Sequence, residues 1–241
     1  MIQPNLDSIY EAIAVSWPAV ETRRVGPWDI RAGGGGGSRV SAATCVGSWQ
    51  PDDIEVAEAQ MRDLGQVPLF MMREGDDLLD KELAARGYAI KDPVRVYTSR
   101  AAALAETPIP PVSSFTVWPP LAAQAEVWAA GGVGAERLAV MERAPFPKTT
   151  LLGRHNDQVA GTVFLGSYAD MAMLHALEIA APHRRQGLGA VMTRAAARWA
   201  LRENLTWLTL LTTEANTAAN TLYTSLGMDV VGHYHYRSLP G

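Results

Sequence analysis

Apolar positions along this chain switch repeatedly between helical spacing and alternation, the pattern of a fold that interleaves helices and strands. Leu6, Ile9, Tyr10, Ile13 and Trp17 predict a helix over Ile2–Trp17, stopped by Pro18. Trp28–Arg31 and Arg39–Val46 read as strands flanking Gly33–Gly37, a loop or hairpin tip. Asp52–Leu64 opens on acids and ends before Gly65, as a helix does. Val67–Met72 predicts a strand, Asp76–Ala85 a helix ending near Gly87, and Val94–Ser99 a strand.

Beyond residue 113 the same alternation continues. Ser114–Val117 predicts a strand, and Leu121–Ala130 and Ala135–Met141 predict helices. Thr149–Arg154, Gln158–Ser167 and Met171–Ala180 are three strand runs joined by turns, an antiparallel meander. Gly187–Glu203 carries an apolar face of Leu188, Val191, Met192, Ala195 and Trp199. Arg194, Arg198 and Arg202 line its other side, which is expected to be solvated. Leu205–Leu211, Asn216–Ser225 and Met228–Arg237 predict strand, helix and strand.

Two features bear on organisation. Thr107–Val112 holds three prolines in six residues, which neither a helix nor a central strand tolerates, so it is the linker candidate. Placing Gly87 on Gly227, an offset of 140, brings Val67–Met72 near Trp207–Thr212, Asp76–Arg86 onto Asn216–Leu226 and Tyr88–Tyr97 onto Met228–Arg237. Such self-similarity separates one elaborated domain from two related ones.

Composition narrows the function classes. The 241 residues are 48% hydrophobic and 19% charged, enough for a sizeable core. A net charge of −4 argues against nucleic-acid binding through an overall positive field. Residues 1–110 carry 11 basic and 16 acidic side chains and residues 111–241 carry 10 and 9, so an anion site suits the second half better. A single cysteine, Cys45, excludes an internal disulfide and suits a reducing compartment; it is expected to be a buried small residue. No signal peptide or run of spanning length is apparent, and the expected setting is cytoplasmic, away from membranes.

The chemistry concentrates in Leu177–Ala190. A strand runs into a basic turn, Arg184-Arg-Gln-Gly-Leu-Gly189, and a long helix starts at once. The amides of Gln186 to Ala190 and the positive end of the helix dipole would converge on an anion. A P-loop would need Lys and Ser or Thr where Ala190 and Val191 stand. A Rossmann turn would want a small residue in place of Met192 and an acid closing the next strand, where Glu214 is a loose candidate. The third pattern, R-x-x-G-x-G on a strand-to-helix turn, fits at Arg184, Gly187 and Gly189.

At these residues the sequence resembles the GCN5-related N-acetyltransferase (GNAT) superfamily, whose pyrophosphate signature that pattern is. A second family motif follows in order: Asn216-Thr-Ala-Ala-Asn220-Thr-Leu-Tyr223, then Leu226-Gly-Met228. The resemblance covers roughly residues 113–237. It implies an α/β (α+β) fold with a mixed, mostly antiparallel central sheet flanked by helices. It divides the chain into a degenerate GNAT-like half at 1–106, a linker at 107–112 and a catalytic domain at 113–241. The first half has no R-x-x-G-x-G turn, and under the offset Leu83 stands at Tyr223 and Asp80 at Asn220. It resembles the degenerate first domain of tandem members and would wall the acceptor site.

The resemblance also implies roles. Acetyl-CoA would be the acyl donor and a small-molecule or peptide amine the acceptor, in a monomer or homodimer. Ile179 would present its backbone to the pantetheine and thioester, and Ala181 stands where proline is frequent. Backbone groups of Arg184, Arg185, Gln186, Gly187, Leu188, Gly189 and Ala190 would hold the pyrophosphate. Asn216 and Asn220 would line the pantetheine arm, and Tyr223 would protonate the leaving thiolate. For the base, strand alternation places His175, Leu177 and Ile179 on one face and Glu178 on the other. His175 is the first candidate side chain, with a suitable ordinary pKa, and Glu178 the second; a bound water without a dedicated side chain is an equal alternative. An acyl-CoA sensor without turnover, or a nucleotide-binding enzyme using the glycine turn, are the competing readings. His233 and His235 share a strand face but lack a third ligand, so no metal site is expected.

Overall fold

The computed structural model describes residues 3–239, so Ile2, the expected start of the first helix, lies outside the described residues. That helix, α1, is Leu6–Ser16, capped by Asn5 and turning Ile9, Tyr10, Ala12 and Ile13 inward. Three strands form a small antiparallel sheet: β1 (Glu21–Val25), β2 (Trp28–Ala32) and β3 (Thr44–Cys45). β1 is exposed along most of its length, so it offered no alternation to read.

The expected strand at Arg39–Val46 is corrected. Ser38–Ser41 is a helical turn, α2, and only Thr44–Cys45 is strand. Gly37 starts that turn at φ +97°, a backbone state that glycine adopts without penalty. Cys45 is half-buried rather than enclosed, and its Sγ lies 3.2 Å from Gly47 O.

The remaining elements are α3 (Pro51–Asp63), β4 (Leu69–Met72), α4 (Asp77–Ala85), β5 (Ala89–Arg100) and α5 (Ala101–Ala105). β6 (Ser114–Val117), α6 (Ala122–Ala130), α7 (Ala135–Arg143), β7 (Thr149–His155), β8 (Gln158–Tyr168) and β9 (Met171–Ile179) follow. A short 3-10 turn at Ala181–His183 leads into α8 (Leu188–Arg202), then β10 (Trp207–Thr213), α9 (Thr217–Ser225) and β11 (Asp229–Ser238).

Eight of these strands make one sheet, ordered β4-β11-β5-β10-β9-β8-β7-β6. All its pairs are antiparallel except β9 with β10. One face packs on α5, α8 and α9 through Leu151, Leu165, Leu174, Met192, Trp199, Leu208 and Tyr223. The other packs on α1 through Met71, Val96, Met173 and Tyr234, and on α6 and α7 through Trp128, Val140 and Phe164. α3 and α4 enclose Phe70 and Met72 with Trp28 and Ile30 of the small sheet.

The 140-residue offset is a physical symmetry. β4–α4–β5 and β10–α9–β11 occupy matching elements, and each sends its last strand into the other's territory: β5 lies between β10 and β11, β11 between β5 and β4. Ala89 pairs with Ser238 and Thr98 with Asp229, which is the same pairing with the halves exchanged. Val94 faces Tyr234, its own counterpart. Side chains follow suit. Asp80 of α4 takes a bidentate bond from Arg237 of β11, at 2.7 and 2.9 Å. At the equivalent positions, Asn220 of α9 accepts from Tyr97 Oη of β5 at 2.9 Å.

Helix α8 also departs from expectation on its arginine side. Arg198 donates to Ala105 O and Thr107 O, both at 3.1 Å, and Arg202 to Thr116 Oγ1 at 3.2 Å. Two of the three arginines therefore hold the proline-rich segment and β6 against the helix, because the chain leaving α5 must run along α8 to reach β6.

Asp80 is held below the usual carboxylate range, chiefly by the Arg237 hydrogen bonds. Its stabilising effect is full above the unfolded value near 4 and lost as pH falls through the lowered folded value. Asp80→Asn should cost roughly 2 kcal/mol at pH 7, less than a fully enclosed pair. Urea unfolding should show the gap between variant and parent closing toward pH 3.

Candidate active site

The one parallel pair in the large sheet sets the site. β9 and β10 are registered from Trp207–Met171 to Leu210–Leu174. β9 then continues to Ile179 and β10 to Thr213 unpaired with each other, so a gap opens between adjacent strands. At its mouth β9 is irregular. Phe164 of β8 faces His175 and Thr162 faces Glu178, so three steps on β9 span two on β8. Ala176 carries the strain, with φ +50°. Its carbonyl accepts from Trp128 Nε1 at 2.8 Å.

This bulge overturns the parity read from simple alternation. Cross-strand partners share a face, so His175 and Glu178 lie together on the α6 side, with Phe164 and Thr162. Ile179, opposite Gly161, turns to the α8 side and packs on that core. An inserted residue shifts every later side chain by one face.

Just beyond β9 comes the basic turn. Gly187 caps α8 with φ +83° and no side chain satisfies the helix end. The turn's first bonds are Ala190 N–H and Val191 N–H to Gly187 O, at 3.1 and 3.2 Å. The amide of Ala190 is therefore engaged, contrary to expectation, while those ahead of it have no acceptor within the helix. Gly189 serves packing: a Cβ there would meet Leu222 Cδ2 at 3.0 Å. Arg184 folds back, donating from Nε to Ile179 O and from Nη2 to Glu178 Oε1, each at 2.9 Å. Arg185, φ +61°, and Gln186 are exposed, as is Ala181.

His175 is almost wholly buried, at 3% exposure. Arg39 Nη1 lies 3.1 Å from its Nδ1, and Ser16 Oγ lies 2.8 Å from its Nε2. Since a guanidinium only donates, Nδ1 accepts, so Nε2 bears the hydrogen and donates to Ser16 Oγ, which passes its own to Ala12 O at 2.6 Å. Burial, and then the Arg39 charge, push the imidazole well below its ordinary value. Both ring nitrogens are thus engaged, and the ring packs on Trp17 and Phe164.

On the other side of the gap, Asn216 caps its own helix by accepting from Ala219 N–H at 3.1 Å. Asn220 Nδ2 donates to Thr213 O, Glu214 O and Asn216 O, and with Tyr97 on its Oδ1 the side chain is saturated. Tyr223, 5% exposed, stands 5.6 Å from Tyr97 ring to ring, and burial raises its phenol above the ordinary value. Elsewhere, His235 bonds Asp80 at 2.7 Å, while His233 stands 4.0 Å from Glu214.

A cavity of about 320 Å³ opens at the mouth of the gap. His175, Ala176, Leu211–Thr213 and Asn216 line one part; Trp17, Gly36–Arg39, Asp92 and Val94 from the first half line another, with Tyr234 and Tyr236. Sequence reasoning named Trp17 without assigning it a contact, and it missed Ser16, Arg39, Tyr97 and Ala176. A lone arginine after a glycine run carries no spacing signal, and a bulge is a register event invisible in one strand's sequence.

Residues 118–228 match the model of the acetyltransferase (GNAT) family. No curated protein matches the sequence. Among solved structures, a GCN5-related N-acetyltransferase from Kribbella flavida is similar at TM-score 0.71 and 18% identity, over 99% of this chain and 97% of its own. A functionally unknown conserved protein from Staphylococcus epidermidis reaches 0.69 at 14%, over 92% and 94%. A tandem GNAT protein from the clavulanic acid biosynthesis pathway reaches 0.61 at 13%, over 100% and 90%. At such identities the likeness is one of fold. The chain thus carries a match to the GNAT-family model over residues 118–228 and shares the fold of these structures. Among the described residues no helix is long and apolar enough to cross a membrane.

The hydrogen-bond pattern predicts that His175 stays a neutral Nε2–H tautomer from pH 8 down past 6.5. Nitrogen-detected NMR should show no inflection near 6.5. A ring that titrates there would mean that Arg39 does not occupy Nδ1.

Proposed function

We propose that this chain is an N-acetyltransferase, moving an acetyl group directly from acetyl-CoA to an amine. The observation that carries the reading is the parting of β9 from β10 after Leu174 and Leu210, with the uncapped start of α8 beside it. A pantetheine arm fits an opening between strands whose edge groups are unpaired. A pyrophosphate fits a helix end whose amides lack acceptors. The donor supplies an activated acetyl thioester; the chain supplies position and charge.

In this reading the amides of Arg185 to Gly189 hold the pyrophosphate, with Arg184 bracing the turn against Glu178 and Ile179 rather than reaching for phosphate. Ile179 and the bulge before it present backbone to the pantetheine and the thioester oxygen. Tyr223, kept protonated by burial, gives its proton to the departing sulfur. Asn216 lies beside the arm, and Asn220 acts by fixing the β10–α9 turn. With His175 engaged at both nitrogens and Glu178 paired with Arg184, a water held in the cavity takes the proton from the attacking amine. The catalytic unit is residues 113–241. Residues 1–106 are a degenerate copy, joined through 107–112, that keeps the exchanged strand and lacks a counterpart of the α8 turn. The setting is cytoplasmic.

Thiol release from acetyl-CoA over a panel of amines tests the whole; tight donor binding without acceptor-dependent release would favour a sensor instead. Tyr223→Phe should lower kcat about 100-fold with the Kd for CoA nearly unchanged, since a general acid acts only in the reaction. Equal loss of both would remove that role. Gly187→Glu should abolish CoA binding measured by calorimetry. Gly187→Ala, which bears the backbone strain of roughly 1 kcal/mol without the charge, should retain much of it.

A further inference from the structure

Arg39 is a charge brought to the reacting end of the cavity and left without a counter-charge. Its Nη1 is committed to the neutral His175, while its Nε is buried with no partner. The guanidinium lies 5.8 Å from the centre of the Trp17 ring. Among the described residues no carboxylate forms an ion pair with it.

The same arginine lines a second, smaller cavity of about 30 Å³ together with Arg31 and Arg73. Arg73 also has a buried Nε without a partner. Neighbouring acids are engaged elsewhere: Asp29 pairs with Arg24 at 2.6 Å, and Asp76 accepts the Arg73 amide at 2.8 Å. Burial depresses both Arg31 and Arg73, and the Arg73 charge adds to the effect on Arg31, while Tyr10 and Asp76 oppose it at Arg73 and Asp29 at Arg31.

Holding a cation in this way is costly unless something completes it. Arg39 bonds His175, the residue immediately before Ala176, so whatever completes it lies at the bulge that opens the β9–β10 gap. A carboxylate suits the part of the guanidinium that lines the larger cavity, where it would supply the missing counter-charge.

We propose, on the basis of the acetyl-transfer reading above, that the acceptor is a free amino acid and that Arg39 binds its carboxylate. The amine then lies at the mouth of the β9–β10 gap, beside Ala176. Arg137 and Asp92, exposed at the rim of the cavity, meet the rest of the acceptor.

The test compares the proteinogenic amino acids, β-alanine and 4-aminobutyrate, each with its carboxamide, as acceptors for acetyl-CoA. With the parent protein at least one acid should exceed its own amide by roughly 100-fold in kcat/KM. Arg39→Gln should erase that preference, lowering kcat/KM for the acid far more than for its amide, and Arg39→Lys should restore part of it. An amide as good as its acid on the parent protein overturns the proposal even if the variants do not fold, and leaves acetyl transfer standing. Equal loss toward acid and amide in Arg39→Gln also overturns it. If no amine releases thiol, the transfer reading falls. Thermal stabilisation by the N-acetylated acid against its amide then still decides whether Arg39 takes a carboxylate.

Discussion

The pairing of β5 with β11 is the contact on which the rest of this protein depends. Each half contributes a strand–helix–strand unit, and each unit's last strand completes the other's sheet. Asp80–Arg237 and Tyr97–Asn220 repeat the arrangement in side chains, one as an ion pair and one as a neutral bond. Withdrawing β5 would expose β10 and β11 together, along with the Tyr97 ring that covers Tyr223. Integrity of the second half is therefore tied to the first through buried backbone hydrogen bonds.

The site inherits its shape from that sheet. β9 and β10 run parallel only because the chain crosses over through α8, and a parallel pair can part without disturbing a hairpin. The bulge at Ala176 sits where they part, and its carbonyl turns to Trp128 instead of to a neighbouring strand. α8 starts at the same end, bringing a glycine turn with unsatisfied amides to the gap. The first half closes the far side with Trp17, Arg39 and the Gly36–Gly37 turn. Backbone of the second half and side chains of the first thus meet at one strand irregularity.

Much of this was legible in the chain. The meander, α8 with its uncapped glycine start, and the Asn216–Tyr223 helix follow from period and turn residues, because their signals are local. The offset that places Gly87 on Gly227 was legible too, as two stretches with the same order of elements. Less local features were misread. Alternation separated His175 from Glu178 because a bulge changes register without leaving a mark in composition. Arg39 lay inside an expected strand, since one glycine at φ +97° decides a helical turn there. The arginines of α8 looked solvated because their acceptors, Ala105 and Thr107, are remote in sequence.

Sequence alone determined most of the inventory: which segments beyond the first small sheet are helix or strand, where the glycine turn before α8 lies, and that two stretches 140 residues apart share one order of elements. Those properties depend on neighbours within a few residues, or on comparison of the chain with itself. Only the tertiary structure decided that β5 enters the other half's sheet and that Asn220 is saturated by Tyr97 and the β10–α9 turn. It also decided that His175 is neutral between Ser16 and Arg39. Apart from the local bonds of Asn220 to the β10–α9 turn, each of these is a hydrogen-bond partnership across more than a hundred residues. Free donors and acceptors are satisfied by whatever the fold brings near them, not by what the chain places beside them.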